Sequence, residues 1–298
     1  MSDAPYGPGQ FFWLLVVLIA IAAFGTVPLF VRELSGAGMD PAATALLRYV
    51  LTAVVMLPFI AVRSGKLIAT LMGMLAGMVM GFGWIGYVVS VGATTVAASS
   101  VIYLSFPIFT VIFTWALLGE IPGPRGFLAA AMALVAVIIS VTDQVFADLT
   151  LIGIVFAMSA PLAFGFALTI QIGWLGRLNL LQQLACVPLG TCLALAPVAW
   201  FNTEGQIIPQ DINWVMILAF AAGTSLIPSF LYLIAAPRIG RVRTALAGGI
   251  ELPVMMALGV VVFGETLGGL EFGAAALLIG ATVVGALSHQ PRGRPPAS

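Results

Sequence analysis

Apolar residues in this chain fall in long unbroken runs rather than in alternation. The runs lie near residues 12–31, 42–62, 70–91, 95–118, 126–142, 151–174, 181–200, 213–236, 242–263 and 270–287. Each is about 20 residues long, enough at the helical rise to cross the hydrocarbon core of a bilayer. Backbone polar groups in lipid must be satisfied within a helix or a closed barrel. Barrel strands alternate apolar and polar side chains; these runs do not, so the pattern selects helices. The breaks carry the charge: RELSGAGMD after the first run, RSGK after the second and GEIPGPR after the fourth. NTEGQIIPQDIN is the longest internal loop, and VGATT joins the third and fourth runs tightly. The pattern predicts an all-α polytopic membrane protein of ten transmembrane helices.

Lys and Arg in short loops set orientation. With the N-terminus cytoplasmic, Arg63, Lys66, Arg125, Arg177, Arg238, Arg241, Arg243, Arg292 and Arg294 all fall on the cytoplasmic side. Arg32 and Arg48 fall near the other side, giving nine of the 11 basic residues inside. Asp40, Asp143, Asp148, Glu204 and Asp211 fall outside. Both termini inside requires an even number of spans, which agrees with ten. Residues 1–11 hold Asp3 and no Lys or Arg, and the apolar run that follows is too long for a secretory signal. It is expected to be a retained first helix. The tail QPRGRPPAS, rich in proline, is expected to be disordered.

The chain contains one pattern twice. YVVSVGATTVAASSVIYLSFPIFTVIFTWALLGE runs from Tyr87 to Glu120, and YLIAAPRIGRVRTALAGGIELPVMMALGVVVFGE from Tyr232 to Glu265. Tyr87 and Tyr232 are 145 positions apart, as are Glu120 and Glu265, while Pro107 and Pro253 are 146 apart. Each half then has five spans, an odd number, so the second half enters the membrane from the opposite side. That is an inverted repeat: residues 1–145, then 146–288, then the tail 289–298. Inverted repeats have two near-equivalent conformations, one open to each side, with a substrate site near the midplane between the halves. The plainer alternative is duplication without alternating access.

Composition narrows the classes. Hydrophobic residues make up 61% of the chain and charged residues 7%, with a mean hydropathy of +1.16. Soluble chains carry roughly a quarter charged residues, so the expected solvent is lipid. Net charge is zero, which gives a nucleic-acid partner no electrostatic support. Cys186 and Cys192 share an apolar run and read as small buried residues. The one histidine, His289, lies in the polar tail, so no metal site and no cofactor are expected. A P-loop motif is absent, and energy would come from substrate, proton or sodium gradients. An embedded enzyme would show Asp, His or metal clusters, and a channel would show filter loops or charged rings. Neither is visible, so the chain is expected not to be an enzyme.

These features resemble the drug/metabolite transporter superfamily. The residues that carry the likeness are Pro107 with Gly119-Glu120, and Pro253 with Gly264-Glu265. The opening FGTVPLFVREL and the following LLRYVLTAVVMLP are also similar to the family's first two spans, where an Arg, here Arg48, opens the second helix. The match is to the ten-helix EamA-type branch and, within it, to the YddG-like amino-acid exporters. The resemblance implies a basket of ten helices around a central cavity lined by spans one, three, four, six, eight and nine. It implies export of amino acids, aromatic ones above all, across a bacterial inner membrane. Relatives carry sugars, nucleotide sugars, drugs or other metabolites on the same fold, and fold does not fix substrate.

Glu251 is the most informative residue. It sits mid-span in ALAGGIELPVMM, where an ionised acid costs about 2.5–3.5 kcal/mol. It must face a wet cavity or a partner. It either contacts a substrate ammonium or carries a proton, or it is a structural partner of Arg48 or Tyr103. Glu120 and Glu265 end their spans and read as solvated or loop-capping acids. Ser99, Tyr103, Phe106 and Thr110 form one helical stripe, matched in span nine by Thr244, Gly248, Glu251 and Met255. Rings and hydroxyls on one stripe suit an amphiphilic solute; ordinary helix packing is the alternative. Further candidates are Trp84 and Tyr87 in span three, Thr224, Ser225, Pro228, Ser229 and Tyr232 in span eight, and Pro161, Phe164 and Gln171 in span six. Trp13, Trp174, Trp200 and Trp214 lie near span ends and read as belt residues. Pro107 and Pro253 are hinge candidates, since alternating access needs matched bending points. Gly73, Gly77 and Gly81 form a ridge that reads as a packing seam within one chain. With both halves in one chain, a functional monomer is expected.

Overall fold

The structure is a computed structural model that describes residues 8–63, 65–93, 95–119, 123–144, 151–209 and 213–288. The tail 289–298, Glu120 and the boundary placed at 145/146 lie outside them. The described residues fold into helices joined by short loops. Seven helical stretches are long and apolar enough to cross a membrane: Phe11–Gly36, Pro41–Phe59, Leu67–Ala93, Ser99–Leu118, Phe156–Arg177, Leu180–Asn202 and Trp214–Ile239. Three shorter apolar helices, Pro124–Ile139, Glu251–Phe263 and Gly269–Gly285, fall on the remaining apolar runs. Large apolar side chains cover the outside of the bundle, with Val261 81% exposed and Ile19, Phe82 and Ile172 exposed as well. Water would not tolerate so much contiguous apolar surface. The chain is a multi-pass membrane protein.

Several spans are broken. The first consists of α1 (Pro8–Gly25) and α2 (Val27–Gly36). At the join, Thr26 turns its hydroxyl to the Ala23 carbonyl at 2.7 Å, and Pro28 has no N–H to offer the turn before it. Span two is α3 (Pro41–Met56), capped by Asp40, which accepts from the backbone N–H of Ala42 and Ala43. Span three is the long α4 (Leu67–Ala93). Span four divides into α5 (Val96–Tyr103) and α6 (Phe106–Leu118). Ser105 bends back to the Ile102 carbonyl there, two residues before Pro107.

Then come α7 (Pro124–Gln144), α8 (Leu151–Trp174) and α9 (Leu180–Asn202), the last opened by a reciprocal Asn179–Gln182 capping box. Span eight runs α10 (Trp214–Ala221), a wide π-helical turn at Ala222–Leu226, and α11 (Ile227–Ile239). Span nine divides into α12 (Arg241–Gly248) and α13 (Glu251–Phe263), and α14 (Gly269–Ser288) follows. Both halves of the repeated pattern therefore carry a helix interruption just before the paired proline. Both also end on a left-handed glycine, Gly119 at φ 69° and Gly264 at φ 66°. A side chain is strained in that conformation, which accounts for the glycine of each Gly-Glu pair.

The packing is dominated by α4, which lies between α8 and α9. Its glycine ridge faces α9: a methyl added at Gly77 would meet the Val187 carbonyl and the Thr191 backbone nitrogen, and one at Gly81 would meet Leu195. Gly83 and Gly86 sit as closely against α8. Elsewhere α3 packs on α9, α1 on α11, α7 on α14, α6 on α8 and α5 on α13. One end of the bundle joins Lys66 to Gln182 at 3.0 Å and lays Arg238 over Trp13. The other end joins Asp40 to Asn202 at 3.2 Å and Arg32 to Glu265.

Candidate functional site

In the middle of the bundle α4 presents Trp84 and Tyr87 one turn apart, against Tyr103 at the end of α5. Ring centroids are 5.0 Å apart for Trp84–Tyr87, 5.5 Å for Trp84–Tyr103 and 5.3 Å for Tyr87–Tyr103. Phe164 of α8 adds to this group at 5.7 Å from Tyr103, and Phe106 packs on Phe164 at 4.7 Å. The break at Leu104 and Ser105 is what swings Phe106 and Tyr103 onto one aromatic surface. Met80, Gly83 and Ala160 close around Trp84, Tyr103 and Phe164 and leave no space for a water-sized molecule among them.

Arg48 reaches the same place from α3. It is 6% exposed. Its guanidinium carbon sits 3.9 Å from the Trp84 ring centroid and 5.3 Å from that of Tyr49. Nη2 donates to the Thr224 carbonyl at 3.2 Å, inside the wide turn of span eight. The Thr52 and Ser225 hydroxyls, 2.8 Å apart, tie the same two elements together. Arg48 Nε and Nη1 have no hydrogen-bond partner, although both are buried. Stacking on Trp84 gives about 2 kcal/mol or more when desolvated, but it does not satisfy those N–H groups.

Glu251, the first residue of α13, lies within electrostatic reach of Arg48, Tyr87, Tyr103 and Tyr232. It is half-buried and sits in the positive field of its own helix N-terminus. None of its oxygens comes within 4.0 Å of the Arg48 guanidinium. The Tyr87 hydroxyl approaches Ser100 without reaching hydrogen-bond geometry. The centre of the bundle thus holds an uncommitted acid, a largely uncommitted guanidinium and a stack of rings.

Of the residues singled out in the sequence, Trp84, Tyr87, Tyr103 and Phe106 meet in this cluster, and Glu251 faces it. Ser99 lies one turn from Tyr103, its hydroxyl 3.1 Å from that of Ser90 on α4. Tyr232 packs on Phe24 at 6.4 Å and senses Glu251, but is 36% exposed. Ser229 and Gln171 are half-buried, and among the described residues no ring contact or hydrogen bond links them to the cluster. Thr110 and Thr244 turn their hydroxyls to the carbonyls of Phe106 and Gly240 in their own turns. Tyr49 was not among the candidates, and Arg48 entered only as a structural partner for Glu251 and as the arginine that opens the second span. The orientation count placed Arg48 near a membrane face; a charge inside ALLRYVLTAVVM was the available signal.

Residues 11–142 match the family model of the EamA-like transporter family. The matched stretch lies in the N-terminal part of the chain and is similar to that family. That family is one of membrane transporters, and the matched stretch contains Arg48, Trp84, Tyr87, Tyr103 and Phe106. No curated protein matches the sequence significantly. A solved structure described as "Crystal structure of protein" superposes with a TM-score of 0.60, over 93% of this chain and 97% of the other. At 18% identity this likeness speaks to fold alone.

Proposed function

We propose that the chain is a secondary transporter that exports amino acids, aromatic and neutral ones, by alternating access of two inverted five-helix halves. The observation that carries the reading is the aromatic cluster of Trp84, Tyr87, Tyr103, Phe106 and Phe164, with Glu251 beside it at mid-bundle. The rings supply apolar contact for a side chain, and the acid supplies a counter-charge for an ammonium group. Pairing of the helices supports the two-half arrangement. Exchange of span one with six and span three with eight turns the α4–α8 contact into the α11–α1 contact. Spans two and seven, four and nine, and five and ten each pack on their own counterpart. Matched interruptions before Pro107 and Pro253 supply bending points for both halves. The basic end of the bundle, with Lys66 and Arg238, is the cytoplasmic end in this reading, in a bacterial inner membrane. One chain suffices.

Counterflow into liposomes tests the proposal. Purified protein is expected to give saturable, trans-stimulated exchange of labelled phenylalanine or leucine. If no member of a broad amino-acid panel is exchanged, the substrate assignment is wrong.

A further inference from the structure

We infer that Arg48 is a carboxylate anchor and that, with Glu251 opposite, it makes the site select zwitterions over simple amines or acids. The inference rests on the amino-acid reading and extends it by assigning the second charge. A guanidinium buried to this degree is expensive unless its donors are matched. Here one nitrogen is matched by the Thr224 carbonyl and two are not. A structural cation in a membrane core would close on the nearest acid. Arg48 does not: the Trp84 face and the Thr52–Ser225 bond hold α3 and its guanidinium in place, while Glu251 stands off beyond 4.0 Å. The result is a cation and an anion kept apart, both buried or half-buried, beside the packed rings of Trp84, Tyr87 and Tyr103. That is the complement of an α-amino acid. The carboxylate takes the open donors of Arg48, the ammonium takes Glu251, and the side chain lies among Tyr103, Trp84 and Phe164. The strain of unpaired groups is relieved only by a solute that carries both charges.

A site built to pair a polar group rejects an analogue lacking it far more strongly than it senses a lost methylene. The wild-type protein in liposomes, loaded for phenylalanine counterflow, is challenged with phenethylamine, which lacks the carboxylate, and 3-phenylpropionate, which lacks the amine. Both are expected to compete at least about 100-fold more weakly than unlabelled phenylalanine. Arg48→Gln is expected to collapse the preference for phenylalanine over phenethylamine, and Glu251→Gln the preference over 3-phenylpropionate. The ratio is a readout that general loss of activity does not mimic. Should phenethylamine compete as well as phenylalanine in the wild type, Arg48 is no anchor, although the protein still carries amino acids. Absence of any amino-acid exchange would instead remove the underlying reading along with this one.

Discussion

Two arginines in this protein lie near an acid from a distant part of the chain, and they are treated in opposite ways. Arg32, midway along α2, forms an ion pair with Glu265 and lies over the Phe263 ring. Glu265 also accepts from the backbone N–H of Val96 at 2.8 Å and, more weakly, from Ala97 at 3.4 Å, so it caps α5. Every charge in that network has a partner, and three spans are drawn together by it. Arg48 lies deeper, faces Glu251, and remains mostly unpaired. The difference is between a polar network that is complete and holds three spans together and one at the centre of the bundle whose donors still lack partners.

The largest expected effect follows directly. Arg48→Met replaces a poorly matched buried cation by an apolar chain of similar length. Exchange of amino acids is expected to fall by about 100-fold or more, the loss typical when one side of a desolvated charge contact is removed. The unfolding temperature in detergent is expected to change little, because the lost Trp84 stack and Thr224 bond are offset by no longer burying a cation whose donors are mostly unmatched. Arg32→Met should do the reverse: a lower unfolding temperature, with substrate affinity nearly unchanged. If Arg48→Met instead unfolds the protein while Arg32→Met leaves it stable, the roles assigned to the two sites must be exchanged.

Next in size is Glu251→Gln, which keeps the shape and removes the charge. An increase of about tenfold in KM for phenylalanine counterflow is expected, from the loss of one charge-assisted contact of about 1.5 kcal/mol. The same change at Glu265 should leave KM within about twofold, because that acid faces Arg32 and a helix end. Equal effects at both would return Glu251 to a structural role.

Much of this was legible beforehand, for identifiable reasons. Hydropathy located the ten apolar runs because lipid leaves no other place for them, and the Gly-Glu repeats located matched helix ends because only glycine is comfortable at a positive φ. The interruptions were less legible. Pro107 and Pro253 follow breaks, yet Pro161, Pro188 and Pro197 sit inside the continuous helices α8 and α9. A missing N–H permits a bend, but tertiary packing decides whether the helix breaks. The π-helical turn at Ala222–Leu226 left no mark in the sequence that distinguished it from ordinary helix. Arg48 reads in the sequence as part of the charge balance between loops and as a structural partner for Glu251, whereas its stacking on Trp84 and its bond to the Thr224 carbonyl come together only in the fold.

The platform under Arg48 offers a third way to separate the regions. Trp84 is held by α4, and α4 is wedged against α9 at Gly77. Gly77→Ala would place a methyl against the Val187 carbonyl and within 2.9 Å of the Thr191 backbone nitrogen, and backbone atoms cannot step aside. A loss of about 1–3 kcal/mol is expected from such overpacking, read as a lower unfolding temperature. Because the displaced helix carries Trp84, phenylalanine affinity should weaken as well. Gly36→Ala, where an added methyl meets nothing within 4 Å, is the matched control at the Arg32 end and should change neither quantity.

The smallest expected effect tests the closed network itself. The Arg32 side chain is 36% exposed and the Glu265 side chain 7%, so the pair is partly screened by solvent, and its attraction is about 0.5–1 kcal/mol. Glu265→Gln keeps an oxygen for the Val96 N–H, gives up the weaker contact to Ala97 and removes that attraction. A fall of a few degrees or less in unfolding temperature is therefore expected at low ionic strength. Raising the salt should lower the wild type toward the variant, because a partly exposed pair is screened over about 10 Å at 0.1 M salt. A wild type indifferent to salt, with the variant still less stable, would place the work of Glu265 in capping α5 rather than in holding Arg32. The contrast between the two arginines would then rest on burial alone.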